Sequence, residues 1–337
     1  MSSAALWWDG MPAPSSVPGR APVAADLDVD VCIVGAGFTG LWTAYYLSGL
    51  APQWSILVLD AEHVGFGASG RNGGWVSALW PVGPATIAAE SGADAARSLV
   101  AALQDTVDEV GRVCAAESLD AGFVKGGTVV AARNAAQVAR AQGEVAAAAR
   151  WGMGSRWLDA AAARERLSAT SLLGASYSPH CARVQPARLA LGLAEAAERC
   201  GVVIAEGTRV SDVGAGVVRC ASGHRVRARH VIRATEAWTA RLPRLRRRIA
   251  PVYSLIVATE PLDAATWSAI GLAERETFSE HRHVIVYGQR SVDDRLVFGG
   301  RGAPYHLASG IRPEFDGDDA VFAALRATAA HSSAATS

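Results

Sequence analysis

The alternation of apolar and polar positions first becomes regular at Val29. VDVCIVGAGFTGLWTAYYL is a short apolar run, a glycine turn, and then Gly37, Gly40, Leu41, Ala44 and Leu47 at three- and four-residue steps on one helix face. That pattern predicts a buried strand feeding a helix through a tight turn. SILVLD, after Pro52, predicts a second buried strand closing on Asp60, so the unit is β-α-β. Alanine-dominated helices are expected at Ala95–Ala116 and Ala135–Ala149, around a strand at Gly122–Ala131. QPARLALGLAEAAERCGVVIAEGTRV predicts a helix stopping at Gly201 and a strand at Val202–Ala205. Val217–Ala221 and Arg225–Ala228 flank SGH as a hairpin, and HVIRATEAWT reads as one more buried strand. Further strands are expected around Val252–Thr259, His283–Tyr287 and Leu296–Gly300. This succession predicts an α/β (α+β) chain of two domains threaded through each other.

Composition narrows the partners. Of 337 residues, half are hydrophobic and 19% charged, which is a globular and not a disordered balance. With 32 basic and 32 acidic residues, neither nucleic acid nor a membrane surface is expected as a partner. The arginine run Arg241–Arg248 reads as a solvated connection between strands. Lys125 is the only lysine and reads as a solvated strand start, which removes lysine from most catalytic roles. Five scattered cysteines without C-x-x-C spacing signal neither a disulfide frame nor a metal site. His63, His180, His281, His283 and His306 show no metal spacing either, and a reduced, cytoplasmic setting fits best. Residues 1–28 read as an extended arm without signal-peptide character, pinned to the body by Trp7 and Trp8. Trp75 and Trp80 could wall a cavity, but filling a core is the better reading.

The chemistry lies in two glycine-rich turns. Gly35, Gly37 and Gly40 form G-x-G-x-x-G between strand and helix, where the amides of Ala36, Phe38 and Thr39 would face a pyrophosphate. Asp60 and Ala61 follow at the end of the second strand, where a carboxylate would accept from a ribose diol. NAD and FAD share this fingerprint. GFGASGRNGG, residues 65–74, separates them, because nicotinamide enzymes need no second cradle. Gly67, Ala68 and Ser69 would lie at the pyrophosphate, while Asn72, Gly73 and Gly74 would reach a flavin ring edge. Arg71 either positions the flavin or forms a salt bridge. The expected cofactor is FAD.

DVCIVGAGFTGLWTAYYL, GFGASGRNGG, VQPARLALGLAEAA, VIRATEAWT and VFGGRGAPYH together resemble the D-amino-acid-oxidase-like family of FAD-dependent oxidoreductases. Within it they are most similar to the branch of γ-glutamylputrescine oxidase and related amine oxidases, in order from Leu6 to Phe322. The resemblance implies a Rossmann-like FAD-binding domain (29–90 and 184–243) interleaved with a substrate domain carrying an antiparallel sheet (91–183 and 244–322). It implies oxidation of an amine C–N bond to an imine, with hydride passing to flavin N5 and electrons then going to oxygen or another acceptor. It places Val210 at the adenine and Ala234 and Thr235 along the dinucleotide, and Glu236 stands where many relatives have glycine or asparagine. Tyr287 and Arg301 fall near the substrate, the tyrosine walling the amine and the arginine gripping a carboxylate; the alternatives are sheet packing and a structural ion pair. Relatives continue past Phe322 with a helix, a strand and a loop closing over the flavin, whereas residues 323–337 read here as a disordered tail. The competing expectation is a truncated, inactive relative that binds FAD weakly or not at all.

Overall fold

The computed structural model describes residues 5–9, 11, 20–306 and 310–332. Residues 1–4, 10 and 12–19 of the arm expected over 1–28 lie outside them. Leu6–Trp8 forms a short turn whose Trp7 is 3% exposed, its indole donating to the Asn72 carbonyl at 2.7 Å.

Two sheets draw on separate stretches of chain. The first runs Val203–Ala205, Ile56–Leu59, Leu27–Val34, Arg225–Arg233, Val217–Cys220 and Val210–Gly214, its first four strands parallel. Parallel strands buried on both faces read as continuous apolar runs, as VCIV and ILVL do. Helices Phe38–Leu50 and Pro186–Arg199 cover one face, closing Leu41 and Leu193 over Ile33 and Val58, all at 0% exposure. Fully burying each such side chain is worth about 1.5–3 kcal/mol. Pro186 starts its helix at a position where a missing amide costs nothing, and Gln185 caps it by accepting from Arg188 N at 2.7 Å.

The second sheet runs Leu255–Ala258, Leu296–Gly300, Val286–Arg290, Thr277–Glu280, Thr128–Ala132, Gly174–Ser178 and Arg156–Asp159. Its one parallel pair is Thr277–Glu280 with Thr128–Ala132; the others are antiparallel. A two-stranded ribbon, Trp75–Ser77 with Cys181–Arg183, lies between the sheets in sequence.

Several elements depart from expectation. Arg225–Ala228 and the following apolar run form a single strand to Arg233, because it pairs with Leu27–Val34 along its whole length. The strand expected at His283–Tyr287 starts at Val286, leaving Val284 and Ile285 exposed. The tail read as disordered from 323 is helical over Asp319–Ser332. Asp318 caps that helix through the amides of Ala320 and Val321, and Leu325 is buried against Leu255, Val286 and Phe298. Residues 333–337 lie outside the described set. Arg241–Arg248 is mostly exposed between two strands, and among the described residues no helix is long and apolar enough to cross a membrane.

Candidate active site

The strand Leu27–Val34 ends at Gly35, whose φ of +115° favours glycine and whose absent Cβ leaves room for the Ala234 carbonyl. The helix that follows opens with amides lacking intrahelical acceptors. Ser69 Oγ takes the amide of Phe38 at 2.9 Å; no described residue accepts from the amides of Gly37, Thr39 or Gly40. Asp60 Oδ2 accepts from Ala36 N at 2.8 Å and Oδ1 from Glu62 N at 2.9 Å. Burial nevertheless holds the Asp60 carboxyl above its ordinary value, against the pull of these two amides. Thr208 donates to the Asp60 carbonyl at 2.7 Å, which brings Val210, two residues on, and Ala61 to the same end of the sheet. Ala234 is tied to Val34 at 2.8 Å, and Thr235 Oγ1 contacts Thr239 Oγ1 at 2.8 Å. Glu236 has φ +41°, in the left-handed region that glycine and asparagine tolerate better.

The second glycine loop is shaped by protein atoms. A Cβ at Gly70 would meet the Trp8 ring at 2.9 Å, and one at Gly73 the Tyr287 ring at 2.6 Å. At Gly74 (φ +70°) it would meet the Val184 carbonyl at 2.5 Å and strike the Gln289 amide. Asn72 and Arg71 both have protein partners. Asn72 Nδ2 donates to the carbonyls of Ala68 (3.1 Å) and Ser69 (2.9 Å), and its Oδ1 accepts from Gly74 N at 2.8 Å. Arg71 donates to the Phe66 carbonyl at 2.8 Å, pairs with Asp316 at 2.7 Å and lies over the Phe66 ring. Gly67 stands against Trp238, whose Nε1 would lie 3.3 Å from a Cβ there.

Beyond Gly73 lies a cavity of about 790 Å³ floored by the second sheet and walled by Trp75, Trp80 and the helix Ala93–Ala116. Trp80 is thus no core residue; it is 52% exposed at the cavity wall. Tyr287 lines this cavity and a neighbouring one of about 490 Å³, its hydroxyl 2.9 Å from Ser254 Oγ. Burial raises the Tyr287 phenol above its ordinary value despite Ser254, so it stays neutral at physiological pH. Three buried polar atoms of the lining, Trp75 Nε1, Thr128 Oγ1 and His180 Nδ1, have no hydrogen-bond partner among the described residues. Such orphans are the mark of a polar ligand or water.

Arg301 does not join this group. It is exposed and lines neither cavity. Lys125 is paired with Asp108, and among the described residues no cluster of histidine, cysteine and carboxylate could hold a metal. His180, read from the sequence only as a histidine without metal spacing, sits in the bend between Gly174–Ser178 and Cys181–Arg183; Thr128 and Ser176 were not singled out, because the strands presenting them are short and carry small polar residues, and the alternation in GASYS was the available signal.

A model of the family described as FAD dependent oxidoreductase matches residues 30–333. The gamma-glutamylputrescine oxidoreductase of Escherichia coli (strain K12) is 29% identical over 277 residues, covering 80% of this chain and 64% of that protein. A probable oxidoreductase OrdL of Haemophilus influenzae is 29% identical over 280 residues, with the same coverage of 80% and 64%. The chain therefore spans 64% of the length of each of these relatives. Among solved structures, glycine oxidase from Geobacillus kaustophilus superposes with a TM-score of 0.68 at 23% identity, over 91% of this chain and 78% of that one. L-proline dehydrogenase from P. horikoshii gives 0.66 at 15% identity, over 91% and 79%. These two likenesses establish the fold.

Proposed function

This chain belongs to the FAD-dependent oxidoreductase family, and we propose that it oxidises the C–N bond of an amine or amino-acid-like substrate to an imine. The observation that carries the reading is the seam between Gly73 and Tyr287, where the end of the second glycine loop abuts the floor of the 790 Å³ cavity. A dinucleotide cradle and a substrate-sized chamber thereby share one boundary. That one relative is named for γ-glutamylputrescine supports an amine as substrate.

The residues present fit FAD. The amides of Gly37, Thr39 and Gly40 offer donors at a helix start, where the dipole favours a pyrophosphate. Each Asp60 oxygen holds one amide and keeps a further acceptor site for a ribose hydroxyl. Gly35, Ala36, Phe38, Ala61, Gly67, Ala68, Ser69, Val210, Ala234 and Thr235 form the proposed walls, whereas Arg71 and Asn72 serve by fixing the loop that carries Gly73 and Gly74. When bound, FAD supplies the acceptor for a hydride from the carbon beside a neutral amine.

The chain's own residues then orient the substrate and keep water out. Apolar walls such as Leu99, Val100 and Leu103 exclude water and favour the uncharged amine over the ammonium. Trp75 Nε1, a donor only, and Thr128 Oγ1 offer the substrate hydrogen bonds that the protein leaves unmade. The neutral Tyr287 phenol borders the reacting end, positioned by Ser254. Electrons leave to oxygen or another acceptor. We keep Tyr287 in the catalytic site and assign no role there to Arg301.

The test is to purify the chain without added cofactor, record its visible absorption before and after denaturation, and titrate amines without oxygen. Flavin absorption that bleaches on amine addition is expected, lost in Gly37→Val and kept in Arg246→Gln. A folded chain that is colourless and takes up no added FAD would mean an inactive relative and refute the proposal.

A further inference from the structure

The strand Cys181–Arg183 ends in a buried charge. The Arg183 backbone is held on both edges, by pairing with Trp75 and by two bonds to Val124 of 3.0 and 3.1 Å. The residue is 6% exposed, and among the described residues neither Nε nor Nη1, both buried, has a hydrogen-bond partner. Burial, with Arg275 and Arg290 adding repulsion, lowers the guanidinium to about 10, so it stays cationic at neutral pH. Burying a charge is costly unless a group of opposite sign compensates it.

The acids around Arg183 are committed to other cations. Asp294 Oδ1 accepts from Arg275 Nη1 and from Arg290 Nε, both at 2.8 Å. Asp293 pairs with Arg295 at 2.7 Å, and Glu276 with Arg166 at 2.8 Å. Three guanidinia, those of Arg183, Arg275 and Arg290, therefore share the one carboxylate of Asp294. Arg275 also donates to the Ser291 carbonyl at 3.0 Å, which fixes it at the turn between strands Val286–Arg290 and Leu296–Gly300. Val292, in that turn, packs with Arg183 around Gly122, where a Cβ would lie 2.5 Å from Val292 Cγ2 and 3.1 Å from Arg183 Nη1. Such close packing suits a ligand of a few atoms.

We infer that Arg183, flanked by Arg275 and Arg290, binds a small oxyanion of the phosphate or carboxylate class. Water satisfies orphaned N–H groups but leaves the charge uncompensated, whereas an oxyanion does both. None of the three arginines lines either cavity described above, so the site is distinct from the substrate chamber and needs no flavin. Bound there, the anion joins the strand Cys181–Arg183 to the turn at residues 291–295. It does so beside the Gln289 amide that holds the carbonyls of Gly73, Gly74 and Val184.

Titration calorimetry on the full chain without FAD, at neutral pH and constant ionic strength, tests this with inorganic phosphate and formate as the probes. Saturable binding of at least one is expected, and the preferred probe tells the tetrahedral anion from the planar one. Arg183→Gln should weaken it about tenfold to a hundredfold, the range for a charge-assisted contact. Arg183→Lys, which keeps the charge, should lose less. Asp294→Asn removes the one acid that opposes the anion and should tighten binding, by up to about tenfold. A merely structural role for these residues would not raise affinity, and if Arg183→Gln fails to fold, the Lys and Asn variants carry the test. No uptake of either probe at millimolar concentration would mean that water alone serves Arg183 and overturns the inference. So would binding that Arg183→Gln leaves intact, which would belong to the helix start at Gly37, or an affinity that Asp294→Asn does not change.

Discussion

Gly40→Ala adds one methyl group at the closest approach in the cradle. The Gly35 carbonyl oxygen stands far inside 3.0 Å of where that Cβ would go, with Ile33 Cγ2 at 3.3 Å. The obstructing atom is backbone, held in turn by the Gly35 amide donating to Leu59 O at 2.8 Å, so it cannot swing aside as a side chain would. Helix and turn must part by about 1 Å. Overpacking of this kind costs about 1–3 kcal/mol, and the rigid neighbours argue for the upper end. Alanine returns about 1 kcal/mol through its better helix propensity, leaving a net loss of about 2 kcal/mol. Gly49, in the same helix, has nothing within 4 Å of a Cβ, so Gly49→Ala should keep the propensity gain, about 0.5 kcal/mol near a helix end. The same chemical change in one helix thus has opposite signs, separated by about 2.5 kcal/mol. Urea unfolding followed by tryptophan fluorescence reads this as a midpoint shift at constant slope. FAD occupancy should fall with Gly40→Ala, since moving the helix start draws the Phe38 amide away from Ser69. If both variants shifted stability in one direction by similar amounts, the close approach would not be what glycine serves at position 40.

Three further changes probe what fixes the cradle. Arg20 has a side chain 1% exposed and grips Glu198 through two bonds of 2.8 Å with Glu206 at 3.4 Å, so Arg20→Met should cost about 3–5 kcal/mol by leaving acids unpaired; a loss below 1 kcal/mol in urea unfolding would contradict this. Gln289 Nε2 donates to the carbonyls of Gly73 (2.6 Å), Gly74 (3.1 Å) and Val184 (3.4 Å), so Gln289→Leu should cost about 2–3 kcal/mol and Gln289→Glu more, because a carboxylate would face three acceptors; a Glu variant as stable as wild type refutes the assignment. Burial holds Asp60 above 3.8, so the folded chain binds its proton more tightly than the unfolded chain, and its contribution to stability is full below 3.8 and lost as pH rises through the folded value. The unfolding free energy of wild type relative to Asp60→Asn should therefore fall as pH rises from 3.8 through the raised folded value, and a difference that stays constant as pH rises from 3.8 to neutrality would show that Asp60 is not the group responsible.

What could be read from the sequence was local. Gly35, Gly37, Gly40 and Asp60 sit within one β-α-β unit, where spacing alone dictates that a strand end, a helix start and a carboxylate converge. The helices Ala93–Ala116 and Ala135–Ala149 were legible because alanine propensity and apolar periodicity agree over many turns. Illegible features depend on partners far along the chain. Nothing near Asn72 signals that its carbonyl belongs to Trp7, or that Gly74 is crowded by Gln289. The cavity floor escaped notice because Thr277–Glu280 and Gly174–Ser178 are short and present Ser279, Ser176 and Ser178 to the cavity, which weakens the apolar alternation that announces a strand. Val284 and Ile285 misled in the opposite sense, as apolar residues that belong to an exposed turn.

The glycines of residues 65–74 were read as room for a cofactor, and their neighbours give them a second purpose. Trp8 from the N-terminal segment occupies the space beside Gly70, and Tyr287 and Gln289 from the second sheet occupy that beside Gly73 and Gly74. The loop is thus clamped by two distant parts of the chain, with its carbonyls and the Asn72 side chain already hydrogen-bonded. Loop ordering, a cost of about 1–2 kcal/mol per residue, is then met during folding and not deducted from cofactor affinity. The proposed site couples in the other direction as well: FAD held by this loop would stabilise only the folded form, so saturating cofactor should raise the stability of the second sheet's Gln289 contact along with the cradle. Gln289→Leu should then weaken FAD affinity although its side chain lies on the far strand, Val286–Arg290. Unchanged FAD affinity in that variant would mean that the loop keeps its shape without the clamp.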